Sequence, residues 1–131
     1  FRTCALPIYE EGMLSGGRTL SEGVALCDEY GADVIGVVSD APARVLVGFA
    51  KEMASSTDKP LLVDVSVRRK DRRQFEPTDE NPYPTADAIV ELAVRLRAQG
   101  VQFLRASGAA TPAYTGALLA TVGGSDVVVP Q

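Results

Sequence analysis

The chain contains no histidine and only two cysteines, Cys4 and Cys27. Without imidazole, Ser-His-Asp and Cys-His catalytic pairs are excluded, and so are histidine metal ligands. Two cysteines do not make a disulfide framework. Their usage suits a reducing compartment, with both expected as free thiols packed in the interior. Long apolar runs are also missing, and none approaches the roughly 20 residues that a membrane span needs. The opening Phe1-Arg2-Thr3-Cys4 lacks the apolar core of a secretion signal, so a cytoplasmic protein without membrane attachment is expected. It also lacks Met, which suggests a fragment of a longer chain. Finally, there is no excess of cations. With 13 Lys and Arg against 17 Asp and Glu, the net charge is −4, which argues against nucleic acid or an anionic lipid surface as a partner.

What is present is ordinary for a soluble globular unit: 46% hydrophobic and 23% charged residues in 131 positions. A chain of this size buries roughly two thirds of its unfolded surface, so 1–131 reads as one domain or part of one. Short β-branched runs alternate with amphipathic stretches. Thr3–Tyr9 is a weak strand, demoted by Pro7. Thr19-Leu20-Ser21-Glu22 fits a capping box that opens a helix to about Tyr30, where Gly31 supplies a left-handed stop. Ala32–Val38 is an apolar run of strand length. Asp40-Ala41-Pro42 begins a second helix, with Pro42 in its first turn. Val45, Leu46, Phe49, Ala50 and Met53 recur on one face of it.

Leu61–Val65 is a third strand, followed by a long charged loop from Ser66 to Pro84. A third helix, about Thr85 to Gln99, turns Ile89, Ala93 and Leu96 inward and places Glu91 and Arg95 as an exposed i,i+4 pair. Val101–Arg105 is a fourth strand, Thr111-Pro112 opens a short last helix to about Thr121, and Val127–Val129 is a trailing strand or tail. This rhythm implies an α/β fold with a parallel sheet, and four such βα units make half of a (β/α)8 TIM barrel. A small complete open-sheet domain is the alternative.

Several segments carry a resemblance to a known family. Gly17-Arg18-Thr19-Leu20-Ser21, then Tyr30-Gly31-Ala32-Asp33-Val34-Ile35-Gly36-Val37, Lys59-Pro60-Leu61-Leu62-Val63, Gln99-Gly100-Val101 and Ala109-Ala110-Thr111-Pro112 occur in this order. From about Glu11 to Val122 the chain resembles homocysteine S-methyltransferase domains, most like the C-terminal half of the homocysteine-binding barrel of cobalamin-dependent methionine synthases. The resemblance implies one-carbon chemistry, in which a zinc ion held by three cysteine thiolates keeps homocysteine sulfur as a thiolate for attack on a methyl donor. All three cysteine places are changed: they are Ser39, Ser107 and Gly108 here. No zinc is therefore expected in this chain, although the parent or a partner could use cobalamin. The resemblance also implies docking to the remaining barrel half, to a corrinoid domain or to a second copy. Whether the chain is an enzyme is left open.

Barrel chemistry sits at the C-terminal ends of the strands. The polar residues there are Ser39, Asp40, Asp64, Ser66, Arg105 and Ser107, a set suited to a small anionic ligand with Arg105 gripping a carboxylate. The plainer alternative has Asp40 capping its helix, Asp64 paired with Arg105 or Arg68, and the serines satisfying loop amides. Arg68-Arg69-Lys70-Asp71-Arg72-Arg73 reads as a solvated run, or as a grip on a phosphate or an acidic partner. Gly12, Gly16 and Gly17 lack the lysine of a phosphate loop and suffice as turns. Tyr83 either anchors the long loop or covers a ligand.

Overall fold

The computed structural model describes residues 2–9, 12–14, 16–67, 76–78, 81–108 and 126–127. Five strands and three helices alternate as β1 (Thr3–Pro7), α1 (Leu20–Glu29), β2 (Val34–Ser39), α2 (Ala43–Ser56), β3 (Leu61–Val67), α3 (Ala86–Ala98), β4 (Val101–Gly108) and β5 (Asp126–Val127). All neighbouring strands run parallel, in the spatial order β1-β2-β3-β4-β5. An order that follows the chain without reversing is that of a barrel wall. A doubly wound open sheet would reverse at a switch point, so the open-sheet alternative falls away.

Crossovers of one hand between sequential strands place every helix on the same face of the sheet. The burial pattern agrees. Ile35 and Val37 of β2, Leu61, Val63, Val65 and Val67 of β3, and Leu104 and Ala106 of β4 join one apolar cluster. Leu20, Val24, Leu46, Phe49, Ala50, Met53, Ile89, Leu92, Ala93 and Leu96 complete it from the helices. Strand residues alternate between faces, so Gly36, Val38, Leu62, Asp64, Ser66, Phe103, Arg105 and Ser107 point to the other face, which is helix-free among the described residues. At Gly36, an added Cβ would lie 2.6 Å from Leu62 Cβ, so only glycine allows β2 and β3 to approach there.

The helix ends show where local chemistry set the boundaries. Thr19 caps α1 by accepting from the Glu22 amide, as the capping box requires. At α2 the N-cap is Pro42, with no side-chain cap. Asp40 is thus not the cap that the sequence suggests, because two residues separate it from the first free helix amides. The β1–α1 connection folds back through the antiparallel bridges Ile8↔Leu14 and Met13↔Thr19, with Gly12, Gly16 and Gly17 in its turns. The run Arg68–Arg73 and the helix expected after Thr111 lie outside the described residues.

One expectation is overturned. Cys4 and Cys27 are joined by a disulfide that ties β1 to α1, with Cα atoms 6.0 Å apart. Neither is a free thiol. Cys27 is buried as expected and Cys4 only partly so, and strand and helix bring the two sulfurs to the same point in the layer between them. Among the described residues, no helix is long and apolar enough to cross a membrane.

Candidate functional site

The helix-free face is graded along its strands. Ala5, Gly36, Leu62 and Phe103 lie in one transverse row, set by the strand register. The next row toward the C-terminal ends holds Pro7, Val38, Asp64 and Arg105, and the one beyond it Ser66 and Ser107. An apolar floor therefore gives way to charge, and then to hydroxyls, at the end where barrels keep their chemistry.

Asp64 is the centre of this polar patch. It is a buried carboxylate in the middle of the sheet, and burial of such a group requires partners. Ser107 Oγ donates to Asp64 Oδ1 at 2.7 Å, and Arg105 Nε lies 3.6 Å from Oδ2. The second distance is an ion-pair approach, too long for a hydrogen bond. Arg105 Nε is itself buried with no hydrogen-bond partner among the described residues, while its side chain as a whole is 42% exposed. The guanidinium is thus anchored at its base by charge and has donors to spare at its outer end. Ser66 is half-buried next to Gly108, where its Oγ would lie 3.3 Å from an added Cβ.

Of the six expected residues, the register brings four together: Asp64, Ser66, Arg105 and Ser107. Ser39 is not with them. It has the parity of Ile35 and Val37, and its Oγ accepts from the Ala41 amide at 3.1 Å, which makes it a turn residue on the helix side. Asp40 follows the end of β2, half-buried, outside the strand register. Its charge is felt at Tyr83. Tyr83 Oη donates to the Ala41 carbonyl at 2.8 Å, so this side chain anchors its loop to the start of α2. Burial pushes the Tyr83 phenol well above its ordinary value; Arg95 pulls it back in part and Asp40 adds to the rise. A cavity of about 300 Å³ adjoins it between α2 and α3, lined by Pro42, Arg44, Glu91 and Arg95 among others.

The residues at the three cysteine places do not fit a thiolate zinc site. Ser39 faces the helices, and Ser107 is committed to Asp64. Gly108 adopts φ 70°, and a Cβ there would sit 2.7 Å from the Val67 carbonyl oxygen, so a cysteine could not occupy this backbone as it stands. No group of three Cys, Asp or Glu among the described residues is placed to hold a metal ion.

No family model and no curated protein matches the chain. Among solved structures it is similar to Xanthomonas albilineans dihydropteroate synthase, solved with 4-aminobenzoic acid, at 16% identity and a TM-score of 0.56. That likeness takes in 95% of this chain and 44% of the other. The chain is part of a (β/α) barrel. It spans less than half the length of that relative, as a half barrel should. At this identity the likeness carries the fold alone, and the finer assignment to thiol methylation rests on the sequence resemblance. The sequence pointed to the polar strand ends but missed the apolar floor of Leu62 and Phe103. The period-two pattern of Val101–Gly108 was the available signal.

Proposed function

We propose that this half barrel descends from the homocysteine S-methyltransferase lineage and has exchanged its zinc site for a polar patch that binds a small carboxylate ligand. The observation that carries the reading is the Ser107–Asp64–Arg105 arrangement on the helix-free face. Asp64 holds the base of Arg105 and leaves the outer guanidinium nitrogens for a bidentate grip on an incoming carboxylate. Ser66 and Ser107 place two hydroxyls side by side in the next row beyond it. Methyl transfer to a thiol, of the methionine-synthase type, would then be ancestral, or would need an acceptor activated without zinc.

Calorimetric titration of the protein with homocysteine, and with 4-aminobenzoic acid as a second carboxylate, tests this. Arg105→Ala should weaken binding by roughly tenfold or more, the weight of a hydrogen bond to a charged group. Binding that is indifferent to Arg105, or stoichiometric zinc held by thiolates in the purified protein, would sink the reading.

A second reading, a non-catalytic scaffold, is favoured by β1, whose outer side pairs with no strand among the described residues, and by the half-buried Phe103 on the face away from the helices. It would dock the remaining barrel half, a corrinoid-binding domain carrying cobalamin, or a second copy. A cytoplasmic setting goes with either reading provided that the Cys4–Cys27 bond is reversible there.

A further inference from the structure

The Cys4–Cys27 bond lies far from the polar strand ends, and the reading above makes no use of it. It crosses from the edge strand β1 to the last turn of α1. Cavities of about 290 and 320 Å³ flank it, and both are lined by Cys4, Cys27 and Tyr30. Leu6, Leu14 and Leu26 wall the first, with Arg18 also lining it; Arg2 and Thr3 line the second. A disulfide between two open cavities is reachable by another thiol, unlike one sealed in a core. The two sulfurs are not equivalent, since Cys27 is 2% exposed while Cys4 is only partly buried.

The tie also acts on the least supported strand. Among the described residues β1 pairs with β2 alone, and no strand lies on its other side. Beyond that ladder it is held by the Arg2 amide on Asp33, and by Leu6 and Leu14, which pack over Gly23 so closely that an added Cβ would strike them. Strands β2, β3 and β4 and helices α2 and α3 carry neither cysteine, although Cys27 packs into the apolar cluster that they share.

We propose that Cys4–Cys27 is a thiol–disulfide switch that fastens the edge of the half barrel and is opened by a dithiol reductant. The reductant's thiolate attacks the more accessible Cys4 sulfur, a mixed disulfide forms there, and Cys27 leaves as a thiolate that takes up a proton. The second thiol of the reductant then displaces Cys4. In balance, one dithiol is oxidised to a disulfide, and the protein gains two electrons and two protons as two thiols. The Arg18 guanidinium at the cavity favours the approach of an anionic thiolate. Opening frees β1 and α1 to move while the rest of the sheet stays folded, so the redox state sets whether this edge is presented as a rigid strand.

The test uses dithiothreitol on the native protein, with thiol titration and amide hydrogen exchange as readouts. Two thiols should appear without loss of far-ultraviolet circular dichroism. Exchange should accelerate on the order of a hundredfold in β1 and α1, the loop-closure weight of a cross-link spanning 23 residues, and remain unchanged in β3 and β4. Cys4→Ser should reproduce this pattern without reductant. A bond that resists dithiothreitol under native conditions, exchange that rises equally in β3 and β4, or reduction that leaves β1 and α1 unaltered would each overturn the proposal.

Discussion

The two faces of the sheet obey different rules. On the helix-covered face the inward positions are mostly aliphatic or aromatic and fully buried, as at Val24, Leu46 and Leu96, with Ser39 a polar exception at the end of β2. On the helix-free face the same strands carry a gradient, from Phe103 and Leu62 to Asp64 and Arg105 and then to serines. One face maximises removal of apolar area from water; the other keeps a buried carboxylate that one hydroxyl hydrogen-bonds and one guanidinium approaches. A strand serves both because its side chains alternate. The lesson is that stability and recognition are separated here by parity within single strands, and not by segregation into different segments.

That separation is open to attack by mutation. Leu96→Ala on the covered face should cost about 2–5 kcal/mol by chemical denaturation, as expected for a fully buried leucine. Phe103→Ala, a larger truncation at a half-buried site, should cost less than Leu96→Ala in this chain. Equal losses would mean that the inner face is as well covered as the outer one. A smaller effect is expected at Tyr83, whose hydroxyl bonds the Ala41 carbonyl. Tyr83→Phe should lose about 1 kcal/mol at neutral pH.

The same residue gives a pH signature. Because the folded phenol titrates above its ordinary 10.0, its contribution is fully present below pH 10 and is lost as pH rises beyond it. Denaturation midpoints of Tyr83→Phe and the parent should therefore converge in alkali. Arg105→Ala should have the least effect on stability, about 1 kcal/mol or less, since the guanidinium is half exposed and not hydrogen-bonded to Asp64. A loss as large as that of Leu96→Ala would recast Arg105 as a structural residue.

Much of the fold was legible in the sequence. The capping box at Thr19, the helical spacing of Leu46, Phe49, Ala50 and Met53, and the apolar runs at Val34 and Leu61 all fall where periodicity put them. β3 and β4 run past Val65 and Arg105 to Val67 and Gly108, because their pairing with each other continues after the apolar pattern ends. The site was half legible. Polar residues at strand ends could be listed from the sequence, but which of them share a face depends on register. Register separates Ser39 from Ser107 although both match cysteines of the resembling family. The disulfide was not legible, since two cysteines 23 residues apart carry no geometric information until a strand and the helix after it are packed together.

Pro7 is a last consequence of alternation. The Ile8 amide donates to the Val38 carbonyl, so the nitrogen one residue earlier is turned to the open side of β1. A proline at that position takes nothing from the ladder with β2 and removes one donor from the exposed border. Unpaired strand borders invite indiscriminate stacking of chains into fibrils, and a missing donor interrupts the template. The residue that makes Thr3–Tyr9 look like a poor strand thus leaves that border one donor short. Any legitimate neighbour must pair there in a register that asks nothing of position 7.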